Sequence, residues 1–113
     1  MRIETEDYQI WYDPKNSTFF LKGFLRLEGM KEYQPIMDLI LELIDQSLQL
    51  TINLQDLEFL NSSGISMLSM LVVKIREKGN VQLTFQGSKK VLWQTKSLRN
   101  LQRLMPSLNL EFS

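Results

Sequence analysis

Apolar and polar residues alternate along this chain with two different periods, and the period changes several times. Apolar positions at every second residue, or in short runs, predict strands. The predicted strands are 8–12, 18–27, 50–54, 81–86 and 108–112. Turn chemistry from Asp13 to Ser17 predicts an antiparallel hairpin between the first two. Gly23, inside the second strand, indicates a bulge or a close backbone approach.

The intervening segments carry apolar residues at three- and four-residue spacing, which predicts helices. The first runs from Met30 to Leu48, with acidic residues such as Asp38, Glu42 and Asp45 on its polar side. The second runs from Ser63 to Lys78, and Gly79 is suited to end it.

After the fourth strand, Ser88 is a candidate N-cap for a third helix through Val91, Leu92 and Thr95. A shorter helical piece covers residues 98–104 and ends before Pro106. Helices that follow the third and fourth strands require parallel pairing after the antiparallel start. The predicted fold class is therefore α/β, with the order β-β-α-β-α-β-α-β, a mixed sheet of about five strands and helices mainly on one face.

Composition narrows the function. The 113 residues predict a single domain, 1–113, and 13 basic residues balance 13 acidic ones, so no overall basic field favours nucleic acid or an anionic membrane. Cysteine and histidine are absent, which removes disulfides, thiol chemistry, the commonest general base and the commonest metal ligands. No apolar run is long enough to span a bilayer, and the acidic start is unlike a signal peptide. We expect a cytoplasmic protein that needs no metal or cofactor.

The most informative segment runs from Asn61 through Ser62 and Ser63 to Gly64, where the second helix begins. Backbone N–H groups at a helix start lack partners and favour negative charge. Two hydroxyls in that position are candidate phosphoacceptors, although a plain helix cap formed by this Asn-Ser-Ser-Gly segment is the simpler interpretation. Gly64, costly inside a helix, indicates a close approach by a partner backbone or a phosphate.

The second helix also predicts a docking surface beside the serines. At 100° per residue, the arc containing Ile65, Leu68 and Leu71 faces the sheet, so Met70 and Val73 point outward with Ser66, and Met67 lies on the flank. The predicted partner-binding residues are Asn61, Ser62, Ser63, Gly64, Ser66, Met67, Met70 and Val73.

Residues 53–65, above all Ser62-Ser63-Gly64-Ile65, resemble the signature of STAS domains, and the bacterial anti-sigma factor antagonists in particular. The resemblance implies a single STAS-like domain that is not an enzyme and that binds an anti-sigma factor which is also a serine kinase. It further implies phosphorylation of Ser62, the first serine of the motif, and dephosphorylation by a PP2C-type phosphatase. Asn61 stands where the family has Asp, and the family's C-terminal helix has no counterpart after the last strand.

Other interpretations stay open. Geometry allows Ser62 or Ser63 as the acceptor, and a constitutive STAS-like scaffold without a phosphate cycle is the alternative function. The basic residues of the C-terminal third suit solvated helix faces or, less simply, a patch for an acidic partner; they are Lys89, Lys90, Lys96, Arg99 and Arg103. Trp93 is expected in the core or beneath the third helix, and Trp11, outward in the first strand, is a candidate contact of a homodimer.

Overall fold

The computed structural model describes residues 2–44 and 48–113. The elements follow one another as β1 (Arg2–Glu4), β2 (Tyr8–Asp13), β3 (Thr18–Leu25), α1 (Gly29–Ile44), β4 (Gln49–Asn53), β5 (Leu57–Leu60), α2 (Ser62–Lys78), β6 (Gln82–Gly87), α3 (Gln94–Gln102) and β7 (Asn109–Phe112). No helix within these residues is long and apolar enough to cross a membrane.

The strands form one mixed sheet in the order β1-β2-β3-β4-β6-β7. The remaining strand, β5, pairs with the C-terminal part of β3, whereas β4 pairs with its N-terminal part. The pairs β1–β2 and β2–β3 are antiparallel, whereas β3–β4, β3–β5, β4–β6 and β6–β7 are parallel. The α/β class, the antiparallel start and the parallel remainder are confirmed. The described residues contain seven strands rather than about five, because β1 and β5 were not predicted.

One face of the sheet carries the core. Phe19, Ile52 and Phe85 lie side by side on β3, β4 and β6 and are fully buried. Each contributes roughly 1.5–3 kcal/mol through burial. The buried sides of all three helices join the same hydrophobic cluster, so the helices pack on this face as expected.

The opposite face is polar along β4, β6 and β7 and aromatic on β2 and β3. Asn53 donates to Gln86 at 3.1 Å, and Gln86 donates to Glu111 at the same distance, so amides bridge three neighbouring strands. Trp11 also lies on this face, where its ring stacks on Phe20 with centroids 5.0 Å apart. The outward position of Trp11 is confirmed, and its role in a homodimer stays a prediction.

Two glycines behave as expected. Gly23 has φ +98°, the β3–β5 register shifts between Gly23 and Phe24, and a Cβ at Gly23 would lie 3.1 Å from the Cα of Tyr8. The bulge with close backbone approach is therefore confirmed. Gly79 ends α2 in the left-handed conformation, as predicted.

Several boundaries differ from prediction. The described part of α1 runs to Ile44, and Leu48, predicted as the last residue of the helix, lies outside it, directly before β4, where it is 65% exposed. Asp45, assigned above to the polar side of α1, lies outside the described residues.

The C-terminal helical region is one helix, α3, instead of two pieces. Ser88 does not cap it, since its hydroxyl accepts from the backbone N–H of Lys90 and forms a turn. The chain is held before α3 by Trp93 and Gln94: the half-buried indole donates to the Leu57 carbonyl at 3.1 Å, and the fully buried Gln94 amide donates to the Leu54 and Leu57 carbonyls. Trp93 is partly buried and packs against the core, which agrees with the first of the two positions expected for it.

Candidate functional site

The candidate site lies at the carboxyl edge of the sheet, where β3 and β5 end together. Leu25 and Leu60 are paired as the last residues of these parallel strands. Asn61 follows immediately and is the N-cap of α2, with φ −79° and ψ 176°. The sheet edge therefore fixes the first turn of α2 at its point of entry.

Asn61 satisfies three neighbours with one side chain. Its Oδ1 accepts from the backbone N–H of Gly64 at 3.0 Å, which caps the helix. Its Nδ2 donates to the Leu27 carbonyl at 2.8 Å. The same Oδ1 lies 2.6 Å from the hydroxyl of Tyr33, a donor from α1. Asn61 thus joins α1, the β3–α1 connection and α2.

The Tyr33 phenol is the buried half of this contact. The residue is fully buried, and its hydroxyl also lies 3.1 Å from the Leu25 carbonyl oxygen. Burial raises the pKa of Tyr33 above its ordinary value, because the phenolate would lose its solvation. The hydroxyl therefore remains a proton donor to the two acceptors around it.

This geometry explains why position 61 carries the amide of an Asn, where the family that the sequence resembles has the carboxylate of an Asp. The Leu27 carbonyl needs a donor, and Nδ2 of Asn61 supplies it. An Asp there would turn a second acceptor oxygen toward that carbonyl while still capping the helix. Asn61 is thus suited to its own surroundings, independently of any kinase.

Because Asn61 is the cap, the two serines are not needed for capping. Ser62 is exposed and Ser63 half-buried, in the first turn of α2. Neither hydroxyl makes a hydrogen bond to another residue in the described part of the chain. That first turn contains no acidic residue, so nothing within it offsets the positive end of the helix dipole. The simpler interpretation, that this segment caps the helix, is confirmed, with Asn61 in that role and neither serine.

Gly64 serves its own chain. It is buried, and a Cβ there would lie 2.7 Å from Cγ of Leu60 and 2.8 Å from the Tyr33 hydroxyl. We expected Gly64 to make room for a partner backbone or a phosphate. Its surroundings do not support this, because Leu60 and Tyr33 of the same chain already occupy the space.

Beyond the serines, the outer side of α2 is accessible in part. Ser66 is exposed, Met70 is 41% exposed and Val73 is half-buried. Met70 and Val73 line a groove of about 380 Å³ whose far wall is Leu104, which follows α3. Met67 differs from expectation: it is 0% exposed, because its position on the flank is covered by the core, so it offers no direct contact.

Two residues of this region were missed. Tyr33 falls on the buried side of α1, and a buried tyrosine needs a partner for its hydroxyl, so that requirement was the available signal. Leu104 carried no signal, since its approach to α2 depends on tertiary packing. Among the described residues, no group of three or more Asp, Glu, His or Cys could hold a metal ion.

No family model and no curated protein matches this chain. Its fold is similar to solved structures of SiaC from Pseudomonas aeruginosa. One SiaC structure aligns with a TM-score of 0.68 at 14% identity, over 100% of this chain and 94% of SiaC. Apo-SiaC aligns with a TM-score of 0.71 at 10% identity, over 100% of this chain and 98% of SiaC.

A third similar structure is the complex of the diguanylate cyclase SiaD with its activator SiaC, also from Pseudomonas aeruginosa. The aligned chain gives a TM-score of 0.66 at 12% identity, over 100% of this chain and 99% of that one. The matches extend along the whole chain, and they show that this mixed α/β fold is shared with SiaC.

Proposed function

We propose that this protein is a non-enzymatic, cytoplasmic partner-switching regulator. Its unmodified form binds a protein partner through the start of α2 and the outer side of that helix, at Asn61–Ser63, Ser66, Met70 and Val73. Phosphorylation of Ser62, or of Ser63 in its place, releases the partner.

The observation that carries the proposal is the division of labour at the start of α2. Asn61 caps the helix, while the Ser62 hydroxyl is exposed and makes no hydrogen bond to another described residue. A kinase can reach such a hydroxyl, and modifying it breaks no contact on which folding depends.

Phosphorylation should change the affinity for a partner much more than the stability of the fold. A phosphate adds about −1.5 to −2 charges with three strong acceptors. At the positive end of α2 this charge is favourable by roughly 0.3–1 kcal/mol, so the fold is retained. Under a docked partner, an unpaired buried charge costs several kcal/mol, which corresponds to at least a hundredfold in affinity.

The class of partner is part of the proposal. The resemblance to anti-sigma factor antagonists supports a serine kinase of the anti-sigma factor type, with a PP2C-type phosphatase that restores the serine. The structural similarity to SiaC, an activator of the diguanylate cyclase SiaD, supports a signalling enzyme as the regulated partner. In either case the partner is a protein that binds the surface of this domain, and the domain itself catalyses no reaction.

A constitutive scaffold without phosphorylation is the second candidate. Asn61 favours it, because the resembling family has Asp there and the amide here is explained by the Leu27 carbonyl alone. Intact mass spectrometry of the protein from its native host separates the two functions. A population heavier by about one phosphate, mapped to Ser62 or Ser63, supports switching, and its absence under all growth conditions supports the scaffold.

The binding test uses Ser62→Asp and, as a matched control, Ser107→Asp on the exposed turn between α3 and β7. The partner is first purified on unmodified protein, and its affinity for each variant is then measured by calorimetry. We expect Ser62→Asp to weaken binding at least about tenfold, since one desolvated charge costs more than a kilocalorie, and Ser107→Asp to leave it unchanged. Equal affinities for both variants would refute the switching mechanism.

A further inference from the structure

The outer side of α2 carries one straight stripe from Ser62 to the groove described above. At 100° per residue, Ser62, Ser66, Ser69 and Val73 lie within an arc of about 60°. Ser62 and Val73 are about 16 Å apart along the axis, at 1.5 Å per residue. The stripe is accessible over its length, because Ser62 and Ser66 are exposed and Ser69 and Val73 are half-buried. A partner segment that lies along the stripe therefore contacts the first turn of α2 and the groove together.

The groove is held open by a contact between α2 and the chain after α3. Met70 and Val73 form its near wall and Leu104 its far wall, around a volume of about 380 Å³. Nη1 of Arg76 donates to the Leu104 carbonyl at 2.8 Å, which fixes the far wall to α2. The groove is therefore preformed, and the unbranched Met70 can adapt its wall to an apolar side chain that enters.

The charges around the groove differ between its two sides. Toward α1, acidic and basic side chains line the neighbouring groove in nearly equal number. Inside the groove, Lys74 and Glu77 offset each other. On the α3 side, Arg76 and Arg103 are exposed, and residues 78–110 contain no Asp or Glu. In the described ranges 2–44 and 48–113, neither arginine forms an ion pair. The uncompensated positive charge therefore lies on the α3 side.

The backbone of α2 limits what kind of segment can dock along the stripe. An extended segment gains much of its affinity from hydrogen bonds to an exposed sheet edge, and the N–H and C=O groups inside a helix are already paired. A helix needs no such edge, because its own backbone groups are paired internally. Apolar residues at three- and four-residue spacing on that helix match a groove that runs along another helix.

We infer that the outer side of α2 binds an amphipathic helix of the partner that has an apolar stripe and an acidic flank. The apolar side chains enter the groove between Met70, Val73 and Leu104, and the acidic flank lies against Arg76 and Arg103. The inference rests on the proposed function, because it names the chemistry of the partner for the surface proposed there.

An acidic partner segment also gives phosphorylation a means of release. The first turn of α2 contains no acidic residue, so its positive end attracts the unmodified protein's acidic partner. A phosphate on Ser62 adds about −1.5 to −2 charges at that position and repels the same segment. A basic partner segment would instead bind the phosphorylated form more tightly.

The first experiment compares two synthetic helical peptides of about 18 residues, which is five turns. The peptides share one leucine stripe, and their flanks carry either Glu or Lys. Each is titrated into the unmodified full chain while the methyl resonances of Met70, Val73 and Leu104 are followed by NMR. We expect these resonances to shift with the Glu peptide, with an affinity at least about fivefold higher than for the Lys peptide and decreasing as salt is raised. Equal affinities, or shifts confined to other residues, would overturn the inference.

Two pairs of variants locate the binding. Val73→Asp should weaken the Glu peptide at least about tenfold, whereas Leu41→Asp, at a half-buried residue of the groove toward α1, should change its affinity less than about twofold. Arg103→Glu should weaken the Glu peptide at least about threefold and strengthen the Lys peptide, whereas Lys15→Glu in the β2–β3 turn should do neither. Circular dichroism verifies the fold of each variant. Equal effects within either pair would contradict the apolar groove or the acidic flank, respectively.

The peptide titrations use no kinase and no phosphate, so they test the docking chemistry separately from the switch. Ser62→Asp should weaken the Glu peptide at least about threefold. If the Glu peptide is preferred but Ser62→Asp leaves its affinity unchanged, the switching mechanism fails and the docking chemistry stands. If the purified partner is released by phosphate but neither peptide is preferred, the switch stands and this inference fails. Methyl shifts that depend on protein concentration without peptide would show that a second copy occupies the groove, which also overturns it.

Discussion

Replacing Asn61 and Ser62 one at a time tests whether the start of α2 is divided between a structural residue and a modifiable one. In Asn61→Ala, the Gly64 N–H loses its cap, which costs about 1 kcal/mol. The Leu27 carbonyl loses the Nδ2 donor, which costs about 1 kcal/mol more. The Tyr33 hydroxyl keeps the Leu25 carbonyl as an acceptor and adds little.

The expected loss for Asn61→Ala is therefore about 2 kcal/mol, or a melting temperature lower by about 8 °C. Ser62→Ala removes an exposed hydroxyl that bonds to no described residue, so its effect should stay within about 0.5 kcal/mol. Urea unfolding followed by tryptophan fluorescence measures both, with Ser107→Ala as the exposed-serine control. If Ser62→Ala costs as much as Asn61→Ala, the serine is part of the cap and the reasoning fails.

Three further predictions concern buried contacts of the same structure. Gly64→Ala should destabilise the protein by about 2 kcal/mol, since its Cβ would crowd Leu60 and the Tyr33 hydroxyl; an unchanged denaturation midpoint would contradict the packing. Burial raises the pKa of Tyr33 in the folded state, so the stability that its protonated hydroxyl contributes is complete below the unfolded pKa near 10 and is lost as the pH rises above that value. Tyr33→Phe should therefore flatten this alkaline loss of stability in denaturation series from pH 8 to 11. Identical slopes for the two proteins would count against the buried phenol. Gln94→Leu should cost about 2 kcal/mol, because the Ser88 N–H loses its acceptor while the Leu54 carbonyl keeps the Leu57 N–H and the Leu57 carbonyl keeps the Trp93 indole. A loss below about 0.5 kcal/mol in urea unfolding would show that water replaces the amide.

The sequence predicted those parts of the fold whose periodicity is set by one buried face. Each such element buries one side in the same core, with the strand period or the helix period, and was recognised apart from the end of α1. These elements are β2, β3, β4, β6, α1 and α2. β5 was missed because Leu57 and Leu60 are buried while Glu58 and Phe59 are both exposed, a pattern of neither period. It pairs with β3 past the bulge at Gly23, and such long-range pairing leaves no local mark.

The candidate site was located by sequence, but its internal roles were not. Asn, Ser and Ser in a row are all good caps, and local propensity does not say which one accepts the N–H. The choice is made by Tyr33 and the Leu27 carbonyl, which lie 28 and 34 residues away in the chain and favour an amide at position 61. For the same reason Met67 was placed on the flank: helical angle alone does not show how far the core reaches around α2.

The most direct test of the account is the affinity of the purified partner for this protein with and without phosphate on Ser62, measured by calorimetry. Circular dichroism melts of the same two samples report the fold. The account predicts melting temperatures within a few degrees of each other and a dissociation constant at least about a hundredfold higher for the phosphorylated form. Unchanged affinity with phosphate on Ser62, or a phosphorylated protein that unfolds, would contradict it.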